Sequence, residues 1–376
     1  MKIIVDDKIP FIKGAFEPYA EVSYLPGGAV KAADARDADA IVTRTRTACN
    51  EALLSGSNVK IIASATIGYD HIDTAWCEEN GIEWTNAPGC NSGSVRQYIA
   101  SVLVTLAAKR SLDLSGMTLG VVGVGNVGSK VAAAARTLGM NVLLNDPPRE
   151  RREGPEGFVS LDELQRRSDI ITLHVPLTKE GPDATVHLFD EERIGRLRKD
   201  QILFNSSRGP VVDNQALKAA LKSGSIRAAV LDVWEGEPDI DLELLDLLDI
   251  ATPHIAGYSA DGKANGTTAS VRAVGRKLGL PLDEWRPAGV PAPANPLEFS
   301  LDATGKTPLQ VATEAILYTY DVSADSARLK ASPADFERLR GDYPVRREPA
   351  AFTVSLSGAD PAARDMLSAL GFKITE

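Results

Sequence analysis

Cysteine is scarce in this chain. The three that occur among 376 residues, Cys49, Cys77 and Cys90, show neither metal-ligand spacing nor a disulfide framework. No metal site is expected, and the thiols read as reduced, which suits a cytoplasmic protein. Long apolar runs are missing too: no stretch approaches the length of a membrane span. The opening Met1-Lys-Ile-Ile-Val-Asp6 reads as a strand rather than a signal peptide. No Lys/Arg-rich block interrupts a net charge of −10, which argues against nucleic-acid and membrane partners. An anionic small molecule would need a local cluster of arginines to overcome the acidic whole. Repeats and low-complexity tracts are absent as well.

What is present describes a soluble globular protein, 44% hydrophobic and 24% charged. The length exceeds one ordinary core, so two or three domains are expected. Short β-branched apolar runs at Lys2–Val5, Ala40–Thr43, Lys60–Ala63 and Ile82–Thr85 predict buried parallel strands. Helical stretches at Glu51–Leu54 and Ile72–Asn80 lie between them, the second stopped by Gly81. A long helix over Gly93–Arg110 leads into a second series. There, strands are expected at Met117–Val122, Asn141–Asn145, Ile170–His174, Gln201–Asn205, Ala228–Val233 and Asp249–Ala251. Strand and helix alternating at this spacing imply doubly wound parallel sheets, whose ligands sit beyond the carboxyl ends of the strands.

After Ser270 the pattern gives another helix, then five prolines between Pro281 and Pro296 that read as a linker or arm. Order resumes with helices at Thr307–Tyr320 and Ser332–Arg340, each opened by a Ser/Thr-Pro pair. A strand at Phe352–Leu356, a helix at Pro361–Leu370 and a strand at Phe372–Thr375 complete a small α+β piece.

Gly123-Val-Gly125-Asn-Val-Gly128 follows a predicted strand and opens a predicted helix, Asn126–Leu138. Gly123 permits the tight turn, Gly125 lets the backbone approach a pyrophosphate, and Gly128 allows close helix packing. Asp146, at the tip of the next strand, would hydrogen-bond both ribose hydroxyls and repel a 2′-phosphate. The expected cofactor is therefore NAD, with nearby Arg149 able to soften the preference.

Oxidising a secondary alcohol requires a base, and His254 in Pro253–Tyr258 is the candidate because imidazole titrates near neutrality. Glu237 in Asp232–Pro238 would orient that ring and stabilise its protonated form. Arg208 in Asn205–Asp213 offers a planar fork of donors for a carboxylate. Taken singly, His254 could cap a turn, Glu237 could be a solvated loop residue and Arg208 could brace the sheet. All three beyond the strand ends of one sheet favour the chemical reading. His71, His174 and His187 read as structural or supporting, and Cys90 has no base at a spacing that would make it a nucleophile.

These motifs, with Ala87-Pro-Gly-Cys-Asn91, Lys179-Glu-Gly-Pro182 and Gly262-Lys-Ala-Asn-Gly-Thr-Thr268, resemble the D-isomer-specific 2-hydroxyacid dehydrogenase family. The resemblance implies two doubly wound, Rossmann-like domains plus a small α+β C-terminal domain. The implied substrate domain is discontinuous, 1–95 with 258–285, around an NAD-binding domain at 96–257. Residues 286–376 would then form a dimerisation domain and make the protein a homodimer. The resemblance also implies roles: Arg208 and Glu237 in the active site and His254 as proton donor and acceptor. Asp146, Asp232 and Gly257 would contact NAD, with Asn126, Val127, Ser206 and Ser207 beside them, and Thr66 and Tyr258 would contact substrate. Thr45 stands where the family has a substrate-contacting serine, which keeps the hydroxyl. Val175 replaces a cofactor-contacting threonine, so only its backbone could serve. The implied substrate is a small phosphorylated 2-hydroxy acid. Arg44 and Arg46 are expected to hold its phosphate, with Arg346 or Arg347 of a dimer mate as further candidates and solvated surface arginines as the alternative. Another D-2-hydroxyacid dehydrogenase, such as one acting on D-3-phosphoglycerate, or an NAD-sensing corepressor-like binding protein are the rival readings.

Overall fold

The computed structural model describes residues 1–358 and 360–375. Its internal contacts divide the chain into two units, Met1–Asn91 with Ser259–Pro291, and Ser92–Tyr258 with Ala292–Glu376.

The first unit holds β1 (Lys2–Asp6), β2 (Glu21–Leu25), β3 (Ala40–Thr43), β4 (Ile61–Ser64) and β5 (Glu83–Thr85). They form an all-parallel sheet in the order β2-β1-β3-β4-β5. β3 and β4 are buried along their whole length, which is why they read as unbroken apolar runs. β2 was not expected: it is an edge strand of half-buried and exposed residues and lacks a clear period. The chain leaves β1 toward one side and returns at β3 on the other, so a crevice opens beyond Asp6 and Thr43.

The helix Ala260–Leu278 packs on this sheet and begins well before the expected start after Ser270. Its N-terminal half carries Gly262 and Gly266, which mask an apolar stripe. A Cβ on Gly266 would overlap the Ala65 carbonyl oxygen, so this glycine serves close approach to the exit of β4. The proline-rich stretch is partly anchored, with Leu282 buried and Trp285 packed on the first unit's core.

The second unit contains β6 (Thr118–Val122), β7 (Asn141–Asn145), β8 (Ile170–Leu173), β9 (Ile202–Asn205), β10 (Ala228–Leu231) and β11 (Ile250–Ala251). All pair in parallel, in the order β11-β10-β9-β8-β6-β7. The direction of winding reverses between β6 and β8, where an open α/β sheet binds its ligands. Every expected strand of this series is present within two residues.

A second, three-stranded sheet of β12 (Glu298–Asp302), β13 (Thr353–Ser357) and β14 (Lys373–Thr375) is also parallel. The helix Pro308–Thr319 starts as expected, with Thr307 and Gln310 forming a reciprocal cap. Ser332-Pro333 instead opens a single 3-10 turn, Pro333–Asp335, before the helix Phe336–Gly341. This portion shares one apolar core with the long helix Ser92–Arg110: Tyr98 and Leu103 belong to the same cluster as Val322 and Phe352. The helix Val322–Ala331 lies against β11, and Ser326 Oγ accepts from the Ala251 amide at 3.1 Å.

Candidate active site

The glycine loop follows β6. Gly123 adopts φ +86°, and a Cβ on it would press on the His174 backbone leaving β8. One on Gly128 would overlap the Gly123 carbonyl, whereas Gly125 faces open space. Two glycines are thus fixed by crowding and the third leaves backbone clear for an approaching anion. The helix Asn126–Thr137 begins there, capped by no side chain at Gly125. Asn126 is exposed, and Val127 packs on the core, so only its backbone can serve a ligand.

Asp146 closes this loop from the tip of β7. Its Oδ2 accepts from the Val124 amide at 2.8 Å and its Oδ1 from the Arg149 amide at 2.9 Å. The cleft beyond encloses about 450 Å³ and is lined by Gly125, Asp146, Pro147, His174, Val175 and Leu188, among others. Asp146, Glu150 and Asp183 are the acidic residues of its lining, and no Lys or Arg is among the described lining residues. Arg149 is engaged with Glu153, at 2.9 and 2.6 Å, and with the Val124 carbonyl at 2.6 Å. An acidic, mostly apolar cleft of this kind fits an unphosphorylated ribose. Ser206 Oγ, just past β9, is buried without a protein partner, and so is a polar group left over for a ligand. Ser207 behaves differently: its hydroxyl and amide both donate to Asn205 Oδ1, at 2.8 and 3.1 Å, so its hydroxyl is spent on the turn.

Three adjacent strands, β9, β10 and β11, deliver the catalytic candidates from one edge of the sheet. Arg208 is exposed, and its Nη1 donates to the Ser207 carbonyl at 2.8 Å. A Cβ on the next residue, Gly209, would overlap the Trp234 carbonyl, so the Arg208 turn is pressed onto the loop bearing Glu237. His254 Nδ1 lies 2.8 Å from Glu237 Oε2, and Glu237 Oε1 accepts from the Trp234 amide at 2.9 Å. Both carboxylate oxygens are therefore committed, and the imidazole is fixed with its other nitrogen available.

His254 itself sits at φ +55°, in the left-handed region that non-glycine residues seldom adopt. Asp232 sustains this shape. Its carbonyl accepts from the His254 amide at 2.7 Å, its Oδ1 from the Ile255 amide and the Thr252 hydroxyl at 2.8 and 2.7 Å, and its Oδ2 from the Ala256 amide at 2.9 Å. Burial pushes the Asp232 carboxyl up, opposed by His254, Thr252 and the two amides. The family resemblance implies a contact between Asp232 and NAD. In the structure its bonds go to the loop 252–256, with one further lone pair left on Oδ2.

Gly257 and Tyr258 follow in the same loop, both half-buried. In the first unit, Arg44 leaves β3 at that sheet's crevice, where its Nη1 donates to the Lys8 carbonyl at 3.2 Å. Thr45 and Arg46 are exposed. Thr66 Oγ1 bonds Ser64 Oγ at 2.9 Å and the Gly68 carbonyl at 3.1 Å. Thr43 and Thr47 keep buried hydroxyls without partners on the same β3 exit.

One candidate must be corrected. Arg346 was considered for the substrate's phosphate across a dimer, yet it is 4% exposed and donates to the Ala256 carbonyl of its own chain at 2.6 Å. It lies beneath the loop that carries His254, not on an outer surface. His174, read as structural or supporting, lines the cleft beyond Asp146, bonds Thr172 at 3.0 Å, and is pushed by burial down to about 3, so it stays neutral. Its place one residue past β8 was the available signal.

Residues 95–256 match the family model of the D-isomer specific 2-hydroxyacid dehydrogenase NAD-binding domain, and 294–371 match a domain of unknown function. The chain belongs to the D-isomer-specific 2-hydroxyacid dehydrogenase family, and NAD is its cofactor. Among its relatives, the erythronate-4-phosphate dehydrogenase of Bacteroides fragilis is 52% identical over 360 residues, 95% of this chain and 100% of the relative. That of Citrobacter koseri is 44% identical over 381 residues, 99% of this chain and 98% of the relative. A solved D-lactate dehydrogenase of Aquifex aeolicus, complexed with NAD and lactic acid, aligns with TM-score 0.59 at 29% identity, covering 74% of this chain and 96% of its own.

Proposed function

We propose that the protein oxidises the hydroxyl beside the carboxylate of 4-phospho-D-erythronate, giving 3-hydroxy-2-oxo-4-phosphooxybutanoate, a step in pyridoxal phosphate formation. The observation that carries the chemistry is the His254–Glu237 pair at 2.8 Å beside Arg208 on adjacent strand ends. The choice of substrate rests on relatives of that name across nearly the whole chain.

With Nδ1–H held by Glu237, the other ring nitrogen of His254 takes the hydroxyl proton, and the carboxylate stabilises the imidazolium that results. Arg208 pairs with the substrate carboxylate and polarises the reacting oxygen. Bound NAD supplies the acceptor for the hydride leaving the same carbon, so one alcohol and NAD yield one ketone, NADH and a proton. Gly123, Gly125, Asn126, Val127 and Gly128 would hold its pyrophosphate and Asp146 its ribose. Val175, Ser206, Ser207, Asp232 and Gly257 would line the nicotinamide end. Arg44, Thr45, Arg46, Thr66 and Tyr258 would receive the substrate, the arginines at its phosphate. The reading includes a cytoplasmic homodimer joined through residues 286–376, with 1–95 and 258–285 as the substrate domain and 96–257 as the NAD domain.

The deciding experiment follows NADH absorbance with 4-phospho-D-erythronate, D-3-phosphoglycerate and D-lactate in parallel, for wild type and His254→Ala. Preference for the first substrate and its loss in the variant are expected. Preference for phosphoglycerate, or an active His254→Ala, rejects the reading.

A further inference from the structure

The loop 254–258 is held by two buried charged side chains, Asp232 and Arg346. Asp232 takes its amides, as described above. Arg346 Nη2 in turn donates to the Ala256 carbonyl at 2.6 Å. Arg346 belongs to the matched domain of unknown function and is 4% exposed. Its guanidinium lies 4.4 Å from the Tyr320 ring centroid and 5.8 Å from that of Tyr343. Both tyrosine hydroxyls donate to buried Asp325, at 2.8 and 2.7 Å. Burial works against the Arg346 charge, and Tyr343, Tyr320, Asp325 and Asp232 outweigh it. The same segment reaches Tyr258: Tyr343 meets that ring edge-on at 6.1 Å, and the Arg340 guanidinium lies 5.6 Å from its centroid.

Stability alone does not account for Arg346. Its Nε and Nη1 are buried without a partner, and a buried cation so incompletely bonded is a poor source of folding energy compared with an apolar side chain of similar volume. What the guanidinium does supply is a fixed direction for one peptide carbonyl. That peptide lies two residues from His254, whose left-handed backbone needs restraint from its surroundings.

We propose that Arg346 is a positioning residue for hydride transfer, and that the domain of unknown function fixes the carbonyl side of the catalytic loop. The inference rests on His254 being the proton acceptor. Arg346 touches neither substrate nor cofactor in this account; it acts by keeping the imidazole in register with Glu237.

The test compares Arg346→Met and Arg346→Lys with wild type and His254→Ala, measuring kcat and KM for 4-phospho-D-erythronate, NAD affinity and thermal unfolding. In Arg346→Met, kcat is expected to fall about tenfold or more, the scale of one charged hydrogen bond, with NAD affinity and substrate KM unchanged. Arg346→Lys, which keeps a donor, should lie between the two. Wild-type kcat in both variants, or a loss of kcat that the lysine does not partly restore, overturns the inference. Should the methionine variant fail to fold, the lysine variant decides: lowered kcat with unchanged KM supports positioning, and wild-type kcat rejects it. An active His254→Ala would instead overturn the reading of the site.

Discussion

Glu237 accepts from the His254 ring at 2.8 Å with one oxygen and from the Trp234 amide at 2.9 Å with the other. The carboxylate is thus anchored to its own loop while it orients the imidazole. Glu237→Gln preserves the shape and removes the charge proposed to stabilise the imidazolium. The expected result is a fall in kcat on the order of 10²-fold with little change in KM. Steady-state kinetics with NAD in excess check it, and a change confined to KM would contradict it.

Gly209 marks where the Arg208 turn presses on the Trp234 carbonyl. A methyl group there has to push two loops apart. Gly209→Ala should cost about 1–3 kcal/mol of stability and should lower kcat by displacing Arg208 from Glu237 and His254. Urea unfolding and kinetics on one preparation report both; a fully stable, fully active variant would show that the loops yield freely.

The acidic cleft predicts cofactor choice. Asp146→Ser removes the carboxylate proposed to hold the ribose while leaving one hydroxyl for the helix cap. Affinity for NAD should drop about tenfold or more, and the preference over NADP should narrow. Comparing KM for the two cofactors decides it.

Arg44 tests the phosphate. Its place at the crevice of the first sheet supports a substrate contact, so Arg44→Ala should raise KM for 4-phospho-D-erythronate about tenfold or more. KM for an unphosphorylated 2-hydroxy acid should stay the same. Equal effects on both would assign Arg44 another task.

His187 bonds Glu235 at 2.7 Å, and that bond raises its pKa above the usual 6.5. A raised folded value means stabilisation present below the unfolded pKa and lost as pH climbs through the folded one. Wild type should therefore exceed His187→Ala in stability at a pH below the usual 6.5, by under about 1 kcal/mol since the pair is exposed, with the gap closing at a pH above the folded value. Urea midpoints at both pH values read it; a gap that widens with pH would reverse the sign.

Much of this was legible because it is local. The strand–glycine–helix unit at 118–137 and the residues just past β9, β10 and β11 announce themselves by spacing. β2 stayed hidden because an exposed edge strand need not alternate. The helix Val322–Ala331 was missed since its apolar residues, Val322 and Leu329, are too sparse to mark a face. Arg346 was misplaced for a different reason: its partner, Ala256, lies far away in sequence, and a backbone carbonyl leaves no trace in composition. His174 had the positional signal but no neighbour to mark it as part of the cleft.

The bond from Ala251 to Ser326 bears on how the protein is made. A two-residue edge strand left open would offer its amides to any passing strand. The ribosome has to emit Ser326 before that flank can be sealed, so the dinucleotide fold is exposed to mispairing throughout the synthesis of the intervening residues. Excising residues 92–258 alone would make that transient hazard permanent, and such a fragment should aggregate where the intact chain does not.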